Sequence, residues 1–525
     1  MMNVRQFAQS GKTAAVTVLF FLGAFPLGAS ASSQSLNDAR RLYNLGQYFT
    51  SARYAYAASQ EGGAEKGEAN AVVTLALARA GLWNSATYFF IQTLQSGDRN
   101  SIRRVLPQTE AILSRVGPDL LRDYLIRHTK YDDYDLLNRS AYLFSLGKAA
   151  ILKDDMNRAL EYLNQVKSES RLYPFSLELR GTALTIQGRL DEAVDDFRDC
   201  QKYAPLVVTE TDGNSPRYRS QANEAKDLAA RCSADEGRAW YQGEKFEEAE
   251  RAYDRIPKAS RVWPEILFEQ AWNAFAKREF NRTLGKLVTY KAPALDFVFN
   301  TEVEVLRAQT YLSLCLYDDT QKAIDDFTQR YTEIGREVKH FVEGNGSNLE
   351  PFYQLGMRTL KDPRETKDPI GRLANRFVRG PYFVDLAAQD ASLEKERSVI
   401  SSFARMTGAN SNSGLSAFLT EVLKWRRKSI HQLGGAYVKN SLIDHHSVLV
   451  ADFEKISFIR LEMLGRAKDK LIRKVNKTPA EETERQRGVV KPNRKDNQMF
   501  WTFNGEFWND ELGDYIFGLE SECGK

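Results

Sequence analysis

Histidine is scarce: the 525 residues hold five, His128, His340, His431, His445 and His446. None stands at metal-ligand spacing from a cysteine. His445 and His446 are adjacent, so on a helix their rings point about 100° apart and do not share one metal-binding face. No metal and no cofactor is expected. The chain also lacks a G-x-S-x-G elbow, a G-x-x-x-x-G-K-[ST] phosphate loop and an H-E-x-x-H pair, so the usual sequence signals of hydrolases, nucleotidases and zinc proteases are missing. Charge of one sign is lacking too: 73 Lys+Arg face 69 Asp+Glu. Nothing in that balance demands nucleic acid as a partner. After Leu27 no apolar run is long enough to span a bilayer. The acidic doublets Asp195-Asp196 and Asp325-Asp326 lie in charge-rich stretches and read as solvated faces, not acid–base pairs. A catalytic role is therefore not expected.

The first 31 residues read as an export signal. Arg5 and Lys12 form a positive start, Thr13–Leu27 an apolar core broken by Pro26, and Ala29-Ser30-Ala31 a small-residue cleavage site. Cleavage after Ala31 would leave a periplasmic or secreted protein without a lipid-bearing cysteine. In an oxidising compartment the four cysteines, Cys200, Cys232, Cys315 and Cys523, are disulfide candidates. They allow three pairings. Cys200–Cys232 with Cys315–Cys523 is the pairing expected if neighbouring helices carry the first two. Four buried thiols are the alternative.

The clearest positive signal is a period of 34 residues, sharpest at Pro174–Val207. Gly181 stands at its eighth position, Gly188 at the fifteenth, Ala193 at the twentieth, Phe197 at the twenty-fourth and Pro205 at the thirty-second. This resembles the tetratricopeptide repeat, two antiparallel helices that meet where side chains are small. The resemblance implies an all-α, superhelical solenoid that binds other proteins along an extended surface. Helix pairs are expected at Leu36–Leu45 with Tyr48–Ala58, Ala69–Ala80 with Asn84–Leu94, and Leu136–Leu152 with Met156–Val166. Between the last two, Ser96–Asp133 is helical without a regular register. An insertion at Val208–Ala229, with a polar turn-rich loop, precedes further repeats at Ala230–Trp263, Pro264–Phe297 and Thr301–Arg330. The array is thus expected over residues 32–332, with five to seven repeats.

Residues 333–475 read as a C-terminal helical region. Loops are expected at Gly344–Pro351, Lys361–Pro369 and Ala409–Gly414, with short helices between them. Leu415 to about Val475 reads as one long helix or a hairpin broken at Gly434-Gly435. Its expected apolar face is Leu415, Phe418, Leu419, Val422 and Trp425, with Arg426 outside it. Residues 476–525 form the rest of a basic linker and an aromatic tail. Arg466–Asp496 holds eleven Lys/Arg against five Asp/Glu, a stretch suited to peripheral contact with a membrane or cell wall. The tail carries Trp501, Phe503, Phe507, Trp508, Tyr515 and Phe517, a density that argues for docking on a fold.

In tetratricopeptide arrays the first helix of each pair lines the groove. Carrying its contact positions over to the later repeats gives Arg231, Arg238, Tyr241, Phe268, Trp272, Phe275 and Gln309 as the partner-binding residues. Aromatic and arginine side chains of this kind anchor interfaces. The segments from Trp263 to Tyr331 and the NGEFWNDELGDY stretch before Cys523 are similar to envelope tetratricopeptide proteins of predatory and gliding bacteria. That similarity implies a scaffold or adaptor for an envelope protein, with a link to motility or envelope assembly. The alternatives are a cell-wall enzyme with a repeat docking arm, and a self-assembling structural subunit.

Overall fold

A helix pair needs a reversal between its helices, and the chain makes it the same way seven times among the described residues. Gly46, Gly81, Asp154, Gly188, Glu244, Arg278 and Cys315 all have φ between 57° and 81°. In each case the next residue donates its N–H to the carbonyl five positions back, at 2.9–3.0 Å, from Gln47→Leu42 to Leu316→Tyr311. This closes the first helix in the left-handed manner that glycine adopts most readily. Gly188 is the fifteenth residue of the sharpest repeat, so these turns mark the register of the whole array.

The computed structural model describes residues 29–523 except 137, 296, 363–367, 407–413, 476–489, 492–493 and 502–505. The paired helices are α1 (Ala29–Asn44) with α2 (Tyr48–Glu61) and α3 (Lys66–Arg79) with α4 (Trp83–Gln95). The irregular stretch holds α5 (Arg99–Val105), α6 (Thr109–Val116) and α7 (Pro118–His128). Then follow α8 (Arg139–Leu152) with α9 (Met156–Leu163), α10 (Tyr173–Ile186) with α11 (Leu190–Tyr203), and α12 (Pro216–Gln242) with α13 (Phe246–Asp254). The last pairs are α14 (Trp263–Ala276) with α15 (Phe280–Val288), and α16 (Glu302–Ser313) with α17 (Tyr317–Asn345). After them come α18 (Glu350–Lys361), α19 (Pro369–Val378), α20 (Pro381–Met406) and α21 (Gly414–Val475). Two short strands, β1 (Met499–Phe500) and β2 (Tyr515–Ile516), pair in parallel. The class is all-α, built on antiparallel helix pairs. Apart from Ala29–Ala31, which open α1, the expected export signal lies outside the described residues.

Side-chain size explains how closely the paired helices pack. A Cβ at the eighth position would lie 2.6 Å from Leu163 at Gly147, 2.7 Å from Phe197 at Gly181 and 2.4 Å from Tyr253 at Gly237. Only glycine admits the large residue that the second helix presents there. At the twentieth position Ser51, Ala86, Ala159, Ala193, Ala249, Thr283 and Thr320 are all fully buried. A small side chain there lets the helix axes approach.

The chain forms two compact units, Met1–Ala229 with Asp385–Leu433, and Ala230–Val384 with Gly434–Lys525. In the first, residues of α20 and α21 cover the second helices of the early pairs. Phe403 stacks on Phe49 at 4.8 Å, and Phe418 sits among Tyr56, Tyr88 and Phe89 at 5.1–5.8 Å. The buried Glu396 carboxylate accepts the N–H groups of Asn84 (2.9 Å) and Ser85 (2.8 Å) at the start of α4, donors that a helix leaves unpaired. In the second unit, α21 buries Val438, Leu442, Leu449, Asp452, Ile456, Ile459 and Met463, a spacing of three and four that keeps one helical face inward. Asp452 accepts from Thr301 at 2.6 Å and pairs with Lys455.

Of the two forms expected for Leu415 to about Val475, α21 is the single long helix, without the break at Gly434-Gly435 that a hairpin would need. Those glycines are contact points: a Cβ would lie 2.7 Å from Tyr353 at Gly434 and 2.2 Å from the Leu349 carbonyl oxygen at Gly435. The inward face also differs, since Arg426 is 5% exposed and Trp425 47%. Arg426 can be buried because its guanidinium donates to the Val116 carbonyl (3.2 Å) and to Gln389 (2.6 Å). The insertion after the clear repeat is helical from Pro216 on, as an extension of α12. The position expected to end the array, residue 332, lies inside α17, and α17 and α20 are long helices. Asp196 is buried and held by Arg180, whereas Asp325 is exposed beside Arg460.

Candidate functional site

The first helices of the second unit, α12 from Ala230, α14 and α16, carry every expected groove residue. Their side chains do not play one role. Arg238 is the hub of a charged cluster. Its guanidinium donates to both Glu269 oxygens (2.7–3.1 Å) and to Asp235 (2.8 Å), with Glu265 at 3.7 Å. Burial works against the Arg238 charge, but Glu269, Asp235 and Glu265 outweigh it and hold the group protonated. Burial raises the Glu269 pKa, and the two-pronged contact with Arg238 works against that rise. Arg238 remains 41% exposed as a side chain, so the cluster reaches the surface. Asp235, Glu265 and Glu269 gather around Arg238 there.

The aromatic candidates separate by depth. Phe268 is buried with Ala271, Leu287, Val303 and Leu306, and so belongs to the core, not to a binding surface. Trp272 and Phe275 lie half-buried on the same cluster, 5.6 Å apart and nearly perpendicular. Tyr241 meets Phe246 at 5.5 Å, and Phe275 meets Phe280 at 5.5 Å. Tyr43 and Tyr48 make the same contact at 5.4 Å. In all three, the twelfth residue of a repeat touches the seventeenth across the turn, so these rings brace the reversal as well as facing outward. Arg231 is half-buried and engaged within the protein. Gln309 is half-buried on α16, where its backbone carbonyl accepts from Ser313.

One acid central to this surface, Glu269, was absent from the expected set. Its signal was present, because it stands one helical turn beyond Glu265 on α14 and 34 residues beyond Asp235.

The C-terminal segment binds the other side of these pairs, against the second helices. The Asn281 side chain holds both backbone groups of Leu519, accepting its N–H at 2.9 Å and donating to its carbonyl at 3.0 Å. Phe517 N–H donates to the Asn281 carbonyl and Glu522 N–H to that of Leu314. Trp501, Phe507, Tyr515 and Phe517 pack on a core that includes Tyr253, Trp263, Leu267 and Val288. Cys315 is bonded to Cys523, with a Cα–Cα distance of 5.1 Å. Cys200 and Cys232 are disulfide-bonded as well, and no cysteine is free. Lys495 pairs with Glu250 (2.8 Å) and Asp254 (3.4 Å) beside a polar cavity of about 10 Å³, room for one water. Burial would raise the Glu250 pKa, but Lys495 and Lys277 bring it down to about 2.

No protein-family model matches the chain. Over 104 residues it is 29% identical to the peptidyl-prolyl cis-trans isomerase FKBP42 of Arabidopsis thaliana, a match that covers 20% of this chain and 28% of that protein. Among solved structures it is similar to the P58(IPK) TPR domain, at 11% identity and a TM-score of 0.19, over 77% of this chain and 98% of that one. It is also similar to yeast Tom70, at 12% identity and a TM-score of 0.19, over 85% and 99% of the two chains. The chain spans little more than a quarter of the curated relative's length. The seven turns and the glycine contacts inside the helix pairs are features of this chain itself.

Among the described residues no group of three or more His, Cys, Asp or Glu is placed to hold a metal ion, and no helix is long and apolar enough to cross a membrane. His445 lies half-buried against Phe377 with Nδ1 2.8 Å from the Ser441 carbonyl. Burial, and then Arg376, lowers its pKa to about 3.

Proposed function

We propose that this protein is an exported scaffold of the cell envelope, periplasmic or secreted after loss of residues 1–31. It would hold a partner protein against the first-helix surface of its later repeats. The observation that carries the reading is the juxtaposition on α12 and α14 of an acid-rich cluster with the half-buried rings of Tyr241, Trp272 and Phe275. A partner segment with basic and apolar side chains matches that chemistry: its cations meet Glu265, and its apolar groups meet the rings. A surface preformed by packed helices loses little entropy when it binds. The link to motility or envelope assembly follows from the resemblance to envelope tetratricopeptide proteins and is proposed on that ground. The basic stretch Arg466–Asp496 is the element that would touch a membrane or cell wall.

The test is a crosslinking pull-down from envelope extracts with the parent protein and with a variant carrying Tyr241→Ala, Trp272→Ala and Glu265→Gln. Arg238 is left in place because Glu269 depends on it. A partner recovered with the parent and lost from the variant, at matched circular dichroism, supports the surface. Equal recovery from both refutes it.

A further inference from the structure

We propose that the Cys315–Cys523 disulfide is a reducible latch, which a dithiol opens to release the distal end of the C-terminal segment from the second helices. The segment is not docked evenly. Leu512, Tyr515 and Ile516 are buried. From Phe517 to Glu522 every residue is half-buried, and Cys523 is exposed. Apolar burial therefore anchors the proximal part. The distal part has the Asn281 clasp on Leu519, the Glu522 N–H bond to the Leu314 carbonyl (2.9 Å) and the disulfide. Hydrogen bonds at this depth compete with water, and each ordered residue loses conformational entropy. The covalent bond offsets that loss, because it holds the distal end at the turn between α16 and α17. What the end covers is apolar: Leu284, Leu314 and Leu316 are buried, with Phe517 and Leu519 packed against them. Opening the latch uncovers this cluster.

The cysteines differ in access. Cys200 and Cys232 are each 0% exposed, whereas Cys523 lies at the surface. Reduction begins where a thiolate reaches a disulfide sulfur. One thiolate of the dithiol attacks Cys523 Sγ and forms a mixed disulfide. Cys315 leaves as a thiolate and takes up a proton. The second thiol of the reductant then displaces Cys523, which leaves as a thiol, and the dithiol departs as a disulfide. Two electrons and two protons pass to the protein in all. Reoxidation reverses the exchange and closes the latch. The inference needs no partner on α12 or α14, so it stands apart from the scaffold reading.

The experiment treats the folded full chain with dithiothreitol and follows it by native alkylation with mass spectrometry and by hydrogen exchange. Cys315 and Cys523 are expected to become labelled at least about tenfold faster than Cys200 and Cys232. After reduction, exchange in residues 517–522 is expected to rise about tenfold or more, with residues 512–516 unchanged. Reoxidation is expected to restore the protection. C523S is expected to exchange like the reduced parent without any reductant. Labelling of Cys200 and Cys232 as fast as the other two overturns the proposal. So does unchanged exchange in residues 517–522 after reduction or in C523S, which would mean that the noncovalent clasp holds the end by itself. An equal rise across residues 512–516 also overturns it, since the bond would then staple the whole segment and not latch its end.

Discussion

Gly285 in α15 gives the sharpest test of how the C-terminal segment is held. A Cβ there would lie 1.8 Å from the Tyr515 carbonyl oxygen and 2.4 Å from its carbon. The neighbour is backbone, so no rotamer change relieves the clash. To restore even a 3.0 Å separation, Tyr515 must move by about 1.2 Å. Two backbone hydrogen bonds depend on that seat, Trp501 N–H to Ile516 (2.8 Å) and Phe517 N–H to Asn281 (3.1 Å). Leaving their groups unpaired costs about 1–3 kcal/mol each, and partial exposure of Tyr515 and Ile516 adds about 1–2 kcal/mol. Against this, alanine improves the helix by about 1 kcal/mol. Gly285→Ala is therefore expected to destabilise by about 2–7 kcal/mol. Hydrogen exchange should show the loss in residues 499–519, which stay tethered by Cys315–Cys523. Gly465→Ala in α21 is the control: nothing lies within 4 Å of the added Cβ, and a gain of up to about 1 kcal/mol is expected. If both variants melt alike, the reasoning from close approach is wrong.

Arg238→Met strands Glu269 and, because the arginine is partly exposed, should cost about 1–3 kcal/mol in urea denaturation. Adding Glu269→Leu should recover most of that. A cost below about 0.5 kcal/mol for the single variant would mean the pair is not structural. Glu250 has a folded pKa below its ordinary value, so its stabilising effect is full above about pH 4.5. It should fade as the pH falls toward 2. His445, also depressed, begins its own loss below about pH 6.5 and completes it near 3. Melts from pH 7 to 2 should show both phases, and Lys495→Gln should flatten the lower one. Replacing Cys315 and Cys523 by serine opens a loop with a sequence separation of 208. The chain-entropy model puts that at up to about 5 kcal/mol. An unchanged melting temperature would show that the noncovalent clasp around Asn281 suffices.

The helix pairs were legible in the sequence because their requirements are local. Turn positions recur, small residues fall at the eighth and twentieth positions, and aromatic or aliphatic residues stand opposite them. The same logic left a single helix or a hairpin open at Gly434-Gly435. Two glycines allow a break locally, but here Tyr353, Phe383 and the Leu349 backbone come close enough to exclude a side chain, and the helix runs through. Arg426 did mislead. An arginine reads as exposed until a distant carbonyl and an amide satisfy it. The candidate surface was half legible. Arg238, Tyr241, Trp272 and Phe275 follow from register, while Phe268 proved to be core and Glu269 emerged only as the partner of Arg238.

Sequence alone thus determined the helical class, the period and the faces on which neighbouring helices meet, since these depend on residues within about 34 positions of one another. Tertiary structure decided what covers those helices. The seat of Tyr515 on Gly285 and the clasp of Asn281 on Leu519 join residues more than 200 positions apart. No local pattern encodes such contacts, because each depends on two surfaces brought together by the whole fold.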